Sequence, residues 1–282
     1  MKEIHVHKIR DCIEAMVIDI NVNYPSDIKN KLIECANKES QPIAKESFRI
    51  LLENARIAKA EKIPVCQDTG MAIVFMKIGQ DVHFVGGDLK TAINEGVASG
   101  YEKGYLRKSV VSDPIFQRLN TLDNTPAVIY MDIVEGDQVK IEVSAKGFGS
   151  ENMSVLKMLK PAQGLQGVKD VVIDAVKCAG PNACPPMVIG VGIGGTFDYA
   201  AYMAKHALLR NIEEANKDPL YDKLEQELFE EINRLNIGPQ GLKGDTSAMR
   251  VLIEQYPTHI AGLPVAVNIS CHITRHASEV IS

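Results

Sequence analysis

The apolar positions of the first sixty residues recur at helical spacing. Residues 9–20 place an apolar side chain every three or four positions, which lines one face of a helix. The stretch from Asn23 to Asp27 contains a proline and breaks this pattern, and Ser26 or Asp27 could cap a second helix. Residues 42–60 show the helical spacing again. We therefore predict a helical lead-in over about residues 1–62.

Beyond the lead-in, the spacing alternates between strand and helix periods. Short apolar runs predict strands over residues 72–78, 127–134, 187–193 and 263–273, and helical stripes cover residues 89–97, 168–179, 197–210 and 220–235. We expect residues 82–85 to pair with the 72–78 strand. Residues 139–146 alternate apolar and polar side chains, and the preceding Glu135-Gly-Asp-Gln predicts a hairpin with the 127–134 strand. The order of elements favours an α+β fold in a single domain, residues 1–282.

The composition is that of a globular protein and excludes several function classes. Hydrophobic residues make up 45% and charged residues 24% of the chain, and the net charge of −5 disfavours nucleic acid or an anionic membrane as the main partner. No apolar run reaches the ~18 residues that span a bilayer, and no apolar secretory segment follows the charged start of the chain. We expect a cytoplasmic protein whose six cysteines stay reduced.

The cysteines divide into two groups by their sequence surroundings. Cys12 and Cys35 lie within helical patterns, where a cysteine is usually a small buried hydrophobe. The other group lies at predicted turns or element ends, among prolines, glycines and polar residues: Cys66, Cys184 and Cys271. No Cys-x-x-Cys spacing occurs, so neither a zinc ribbon nor a ferredoxin motif is indicated. The residues alone leave open a three-cysteine metal site and scattered thiols.

Three thiolates would suit an iron–sulfur cluster in which one iron lacks a protein ligand and acts as a Lewis acid. Cys178 lies six residues before Cys184 and could close such a site as a fourth ligand. Its position at the end of a helical stripe favours a structural role instead.

Four polar positions each allow a functional and a structural interpretation. Asp68 could exchange a proton with a substrate, or its carboxylate could close a turn. Arg107 could clamp a carboxylate or lie on the surface. The glycines of residues 146–152 would let backbone N–H groups approach a carboxylate, or form a plain loop. His259 could serve a site or be structural.

One segment supports a rival function. Residues 190–195 match the G-x-G-x-x-G pattern between a predicted strand and a predicted helix, which is the context of a dinucleotide fingerprint. No second apolar strand ending in an acidic residue follows, and the glycines are equally consistent with tight packing of a strand on a helix. A nucleotide-dependent oxidoreductase and a non-enzymatic, metal-sensing subunit therefore remain alternatives.

Six motifs, in this order, resemble the alpha subunit of class I (iron–sulfur) fumarate hydratase and its sibling, the L-tartrate dehydratase alpha subunit. They are Pro64-Val-Cys-Gln-Asp-Thr-Gly, Leu106-Arg-Lys-Ser-Val-Val, Lys146-Gly-Phe-Gly-Ser-Glu-Asn, Asn182-Ala-Cys-Pro-Pro, Gly194-Gly-Thr and Ser270-Cys-His. The resemblance extends from about Lys45 to the end of the chain. It implies the alpha-type domain of an iron–sulfur hydro-lyase.

The resemblance also implies roles for individual residues. It assigns Cys66, Cys184 and Cys271 as ligands of a [4Fe-4S] cluster whose fourth iron is open to substrate. Asp68 would be the acid/base group for the hydroxyl. The residues expected to contact a C4 dicarboxylate are Gln67, Arg107, Gly149 and, within the pocket, His259. The reaction implied is reversible hydration of fumarate to (S)-malate.

The resemblance further implies a partner. In two-subunit members a separate beta subunit supplies the base at carbon and further cationic contacts, and the sequence ends at Ser282, soon after Cys271. We expect this chain to be inactive without a beta subunit, and to form an alpha–alpha dimer within an α2β2 assembly.

Overall fold

The computed structural model describes all 282 residues. The elements in chain order are β1 (Lys2–His5), α1 (Val6–Val22), α2 (Ser26–Lys38), α3 (Pro42–Glu61), β2 (Met71–Gly79), β3 (Val82–Val85), α4 (Leu89–Lys103), β4 (Val128–Val134), β5 (Val139–Lys146), α5 (Phe148–Glu151), β6 (Val155–Leu159), α6 (Gly164–Ala179), β7 (Met187–Gly194), α7 (Phe197–Ala207), α8 (Pro219–Asn233), β8 (Ala248–Tyr256), β9 (Leu263–Ser270) and β10 (His276–Ile281). Helices and mixed sheets combine as the predicted α+β class requires.

The chain forms two compact units. The first unit comprises residues 1–25, 54–147 and 275–282, and the second comprises residues 26–53 and 148–274. None of the helices combines the length and the apolar character needed to cross a bilayer.

The first unit is built on a four-stranded sheet in the order β10-β5-β2-β4. Strand β2 is parallel to β4 and antiparallel to β5, and β10 is antiparallel to β5. Helix α1 packs its buried apolar stripe against β5 and β10, and its Ile13 and Val17 share a core with Val74 and Val143. Helix α4 packs against α1 within the same core.

Two strand pairings in this unit differ from the predicted ones. Strand β3 pairs in parallel with β1, a strand that the helical pattern did not predict, and not with β2. The expected hairpin of β4 and β5 is also wrong, because β2 lies between them. The 135–138 turn passes the end of β2, where Gly79 N–H donates to the Gln138 carbonyl at 2.8 Å. A strand apolar on both faces, as β2 is over residues 72–76, is favoured at the centre of a sheet.

The second unit contains a sheet in the order β6-β9-β7-β8, with β7 parallel to β8 and antiparallel to β9. Helices α6 and α8 bury their apolar stripes on one face. On the other face, α7 packs on β7 and β9 through small residues, among them Ala200, Ala204 and Ala266. Strands β6, β8 and β10 were not predicted from the sequence.

Candidate functional site

Two of the three singled-out cysteines lie side by side in the second unit. Cys184 comes three residues before β7, and Cys271 directly follows β9. The two strands are antiparallel, with Val188 opposite Ser270, so both cysteines lie at the same end of the pair. His272 N–H donates to the Cys184 carbonyl at 3.3 Å. The fold thus brings together two residues that are 87 positions apart in sequence.

The backbone around these two cysteines is fixed by local hydrogen bonds. Cys184 has φ 51° and ψ 64°, a left-handed conformation that non-glycine residues rarely adopt and that concentrates at functional sites. Its N–H donates to the Pro181 carbonyl at 3.0 Å, and its side chain is exposed. The Thr274 hydroxyl donates to the Cys271 carbonyl at 2.8 Å. Core packing does not require a thiol at this exposed position.

Cys66 lies in the first unit, in the segment that follows α3. The residue before it is held on both sides, because Val65 N–H donates to the Asn21 carbonyl and the Asn54 side-chain amide donates to the Val65 carbonyl, each at 2.8 Å. Cys66 itself is half-buried, and its Sγ lies 3.6 Å from Gln67 Oε1. The thiol is therefore presented from an anchored turn.

Asp68 forms the turn that its structural interpretation predicted. Its Oδ1 accepts from Gly70 N–H at 2.9 Å. Gly70 has φ +73°, and a Cβ there would lie 2.8–2.9 Å from the backbone of Ala145 and Lys146, so only glycine fits. A Cβ on Gly147 would lie 3.1 Å from Asp68 Oδ2, so the absence of a side chain at Gly147 leaves room for this carboxylate.

A buried polar layer supports the Asp68 turn. The Tyr101 hydroxyl lies 2.7 and 2.8 Å from the Thr69 and Gly70 carbonyls. Burial raises the pKa of Tyr101 well above its ordinary value; the positive charge of Arg275 opposes this rise, and the negative charge of Asp68 adds to it. Tyr101 is therefore a neutral donor at physiological pH. The same turn reaches Arg107, whose carbonyl accepts from the Thr69 hydroxyl at 2.9 Å.

The remaining site residues divide between the two units. In the first, the side chains of Gln67 and Arg107 are exposed. In the second, Gly149 is exposed in α5, and a Cβ there would meet the Asn182 carbonyl only at 3.6 Å, close in sequence to Cys184. His259 accepts from Ala261 N–H in the loop between β8 and β9. That loop lies at the opposite end of the sheet from Cys184 and Cys271, and eight-residue strands span roughly 26 Å. The second unit does not bring His259 to its cysteines.

Two of the other cysteines, Cys12 and Cys35, have environments that disfavour metal binding. Burial raises the pKa of Cys35 to about 11, and burial also raises the pKa of Cys12. Both therefore stay protonated at neutral pH, whereas metal ligands must be deprotonated. Cys178 is exposed near the end of α6. The interpretation of Cys35 as a core residue is confirmed, and Cys12 packs at the edge of the first unit's core.

Helix–strand packing accounts for the glycines of the rival nucleotide motif. A Cβ on Gly190 would lie 2.0 Å from the Ala204 carbonyl oxygen, and one on Gly192 would lie 2.1 Å from that of Ala200. Both carbonyls belong to α7, so these two glycines let α7 lie directly on β7. The interpretation as tight packing is the one that the structure supports.

Sequence reasoning missed the buried residues that hydrogen-bond to the backbone of the candidate site. Tyr101, Asn21, Asn124 and Arg275 are all buried and all hydrogen-bond within the first unit to the segment from Val65 to Gly70. The sequence signal for Arg275 is its position four residues after the candidate ligand Cys271. Its burial, which makes hydrogen-bond partners necessary, is seen in the structure.

Comparisons with known proteins agree on one family. The family model described as fumarate hydratase (Fumerase) matches residues 10–280. The putative L(+)-tartrate dehydratase subunit alpha of Methanocaldococcus jannaschii is 42% identical over 275 residues, which cover 96% of each chain. The L(+)-tartrate dehydratase subunit alpha of Escherichia coli K12 is 32% identical over 284 residues, which cover 99% of this chain and 93% of that protein.

Proposed function

The chain belongs to the fumarate hydratase (Fumerase) family of hydro-lyases, and from this we propose that it is the cluster-binding alpha subunit of an iron–sulfur enzyme acting on a C4 dicarboxylate. The observation that carries the proposal is that Cys184 and Cys271 lie next to each other, joined by the hydrogen bond from His272 N–H to the Cys184 carbonyl. Each lies at the end of a core strand and neither is needed for the core.

We propose that Cys66, Cys184 and Cys271 would hold a [4Fe-4S] cluster, since thiolates are the ligands that such a cluster takes. All three thiols lie on anchored turns outside the apolar cores, and the thiols of Cys12 and Cys35 are set apart by their raised pKa values. The two units, each taken by itself, contain no group of three His, Cys, Asp or Glu side chains close enough to hold a metal ion. When bound, the cluster would supply Lewis acidity at an iron without a protein ligand.

The chain's own residues would bind the substrate and move a proton. We propose that Asp68 gives a proton to the leaving hydroxyl in dehydration and takes one from the entering water in hydration. Its carboxylate is held in place by the Gly70 N–H. The guanidinium of Arg107 would bind one substrate carboxylate, and Gln67 would donate to it. The backbone at Gly149 would lie against the substrate.

Replacing Gly149 with alanine tests the last assignment. The fold has room for this Cβ, whose nearest contact lies at 3.6 Å, and the residue does not have a positive φ. We expect a melting temperature within about 3 °C of the wild type, because the added methyl group fits the fold. We expect the KM to rise about tenfold or more, because this methyl group would contact the bound substrate. Gly70→Ala is the contrasting variant, which should lower the melting temperature. An unchanged KM in a well-folded Gly149→Ala enzyme would remove Gly149 from the site.

Fumarate is the first substrate that we propose, and L(+)-tartrate is the second. The family description favours fumarate, whereas the relatives from Methanocaldococcus jannaschii and Escherichia coli are named for tartrate. Both substrates carry two carboxylates and lose or gain water at the central carbons. Loss of fumarate absorbance and formation of oxaloacetate from tartrate, measured on the same anaerobic preparation, separate the two. The preferred substrate should show a kcat/KM higher by about a hundredfold or more, as expected where a site is built to pair with a substrate hydroxyl.

We also propose that a beta subunit completes the enzyme, as the name "subunit alpha" of the relatives suggests. The segment after Arg107 has an unusual surface for this unit, because Ile115, Phe116, Leu119 and Leu122 are exposed by 60–87% while polar groups hold its backbone. Exposed apolar side chains of this density indicate an interaction surface.

The chain alone is therefore expected to lack hydratase activity even with its cluster. Anaerobic reconstitution with iron and sulfide, followed by titration with the cognate beta subunit, should give activity that saturates at a 1:1 ratio. Size-exclusion chromatography with light scattering would then test the α2β2 assembly. Full turnover by the chain alone would refute the need for a partner.

A further inference from the structure

A buried arginine of the first unit directly holds the residue to which we assign proton transfer. Arg275 lies just before β10 and is 4% exposed. Its Nη1 donates to the Asp68 carbonyl at 2.5 Å and to Asn21 Oδ1 at 3.0 Å. Its own carbonyl accepts from Ser144 Oγ at 2.9 Å and from Ala145 N–H at 3.3 Å. Burying a charge is unfavourable unless it is hydrogen-bonded, so the bonds of the guanidinium to Asp68 and Asn21 help to keep Arg275 buried.

The side chain of Asp68 lies beside the same guanidinium. Arg275 Nη2 and Asp68 Oδ2 are each 3.1 Å from the point where a Cβ on Gly147 would lie, so the two atoms are at most about 6 Å apart, twice that distance. Gly147 thus leaves space that the guanidinium and the carboxylate share. Any side chain at position 147 would push one of them away.

Asn21 links Arg275 to Val65, three residues before Asp68. It is fully buried, its side-chain amide donates to the Val17 carbonyl at 2.9 Å, and its own carbonyl accepts from Val65 N–H at 2.8 Å. Arg275 and Asn21 therefore fix the segment from Val65 to Asp68 at both ends. Cys66 and Gln67 lie between these two attachment points.

The second unit shows how a purely structural arginine is paired. Arg250 is also largely buried, and its guanidinium lies 3.5 Å from Glu225 and 3.7 Å from Asp222, so carboxylates compensate its charge. Arg275 Nη1 donates to the main-chain carbonyl of Asp68 and to the side-chain oxygen of Asn21, so this arginine is bonded to the backbone of the candidate site itself. A planar guanidinium can reach both in one plane, whereas a lysine ammonium on a flexible stem holds them less rigidly.

We propose that Arg275 is a positioning residue that fixes the backbone of Asp68, and with it the direction of the Asp68 carboxylate toward substrate. The proposal rests on the proposed function of Asp68. Displacement of a catalytic group by about 1 Å can lower turnover about a hundredfold. The arginine acts through Asp68 and needs no contact with substrate.

The test compares Arg275→Lys with Arg250→Lys in the reconstituted complex with the beta subunit. Arg275→Lys should lower kcat about 10- to 100-fold, with KM changed less than about threefold and the iron content equal to that of the wild type. Asn21→Ala, which removes one acceptor of Arg275, should change kcat in the same direction by a smaller factor. Arg250→Lys should leave kcat unchanged, and melting curves of all variants report their folding.

Hydrogen exchange of the isolated chain provides a readout without turnover. In Arg275→Lys, a peptide covering residues 66–70 should exchange about tenfold faster or more, since the Asp68 carbonyl loses its rigid donor. Arg250→Lys should leave that peptide unchanged. If the wild-type enzyme converts neither dicarboxylate, the proposed function fails. The exchange data would still show whether Arg275 fixes the backbone of Asp68. Wild-type kcat together with wild-type exchange in Arg275→Lys would overturn the inference, and so would a loss of iron in parallel with kcat.

Discussion

Replacing Cys184 with serine is expected to abolish iron binding and hydratase activity together. Serine is nearly isosteric, but its hydroxyl stays protonated at neutral pH, whereas cysteine binds iron as a thiolate. The left-handed backbone of Cys184 and its bond to His272 do not depend on the thiol, so the turn should persist. We expect the iron content to fall from about four per chain to under about one, and the activity to fall more than about 10³-fold.

The measurement is an anaerobic reconstitution with iron and sulfide, followed by an iron count and the visible absorbance of the cluster. Cys66→Ser and Cys271→Ser should behave like Cys184→Ser, since each removes one of three ligands. Cys178→Ser is the matched control, because Cys178 is exposed and lies six residues from Cys184. Wild-type iron in Cys184→Ser, or loss of the cluster in Cys178→Ser, would contradict the three-ligand assignment.

Local patterns in this chain predicted elements better than they predicted pairings. The stripes of α1, α6 and α8 are set by burial on one face, which the 3.6-residue period reports directly. The hairpin of β4 and β5 failed because β2, which ends at Gly79 well upstream of the start of β4 at Val128, inserts between them. A turn signal such as Glu135-Gly-Asp-Gln reports that the chain reverses and does not report which strand lies alongside.

The site divides in a similar way. Its candidate ligands and its acid/base residue stand in recognisable motifs, since Cys66, Gln67 and Asp68 are consecutive. The residues that hold them are distant in sequence: Tyr101 and Arg275 contact the Asp68–Gly70 segment from α4 and from the start of β10. Contacts of this kind depend on tertiary packing, which no local pattern in a single sequence encodes.

Asp68→Asn is the second substitution with a large expected effect, and it separates chemistry from structure. The asparagine Oδ1 can still accept from Gly70 N–H. The main-chain carbonyl of residue 68, which accepts a hydrogen bond from Arg275, is unchanged. The turn should therefore persist with the cluster bound. An amide cannot exchange a proton with the hydroxyl of the substrate, so we expect kcat to fall about 10²- to 10⁴-fold, with KM and iron content close to those of the wild type.

Asp88→Asn supplies the matched control, because Asp88 also accepts from a backbone N–H group in the first unit, that of Thr91 at 2.8 Å, at the start of α4. It should leave kcat unchanged. Steady-state kinetics with fumarate and with tartrate, on preparations of equal iron content, give the comparison. If Asp68→Asn turned over within about threefold of the wild type, the turn would be the whole role of Asp68, and the proton would have to come from a group outside the first unit's Cys66–Gly70 segment. A hundredfold loss with intact iron would instead place the proton transfer on a carboxylate whose backbone is held by Arg275 and whose Oδ1 is held by Gly70.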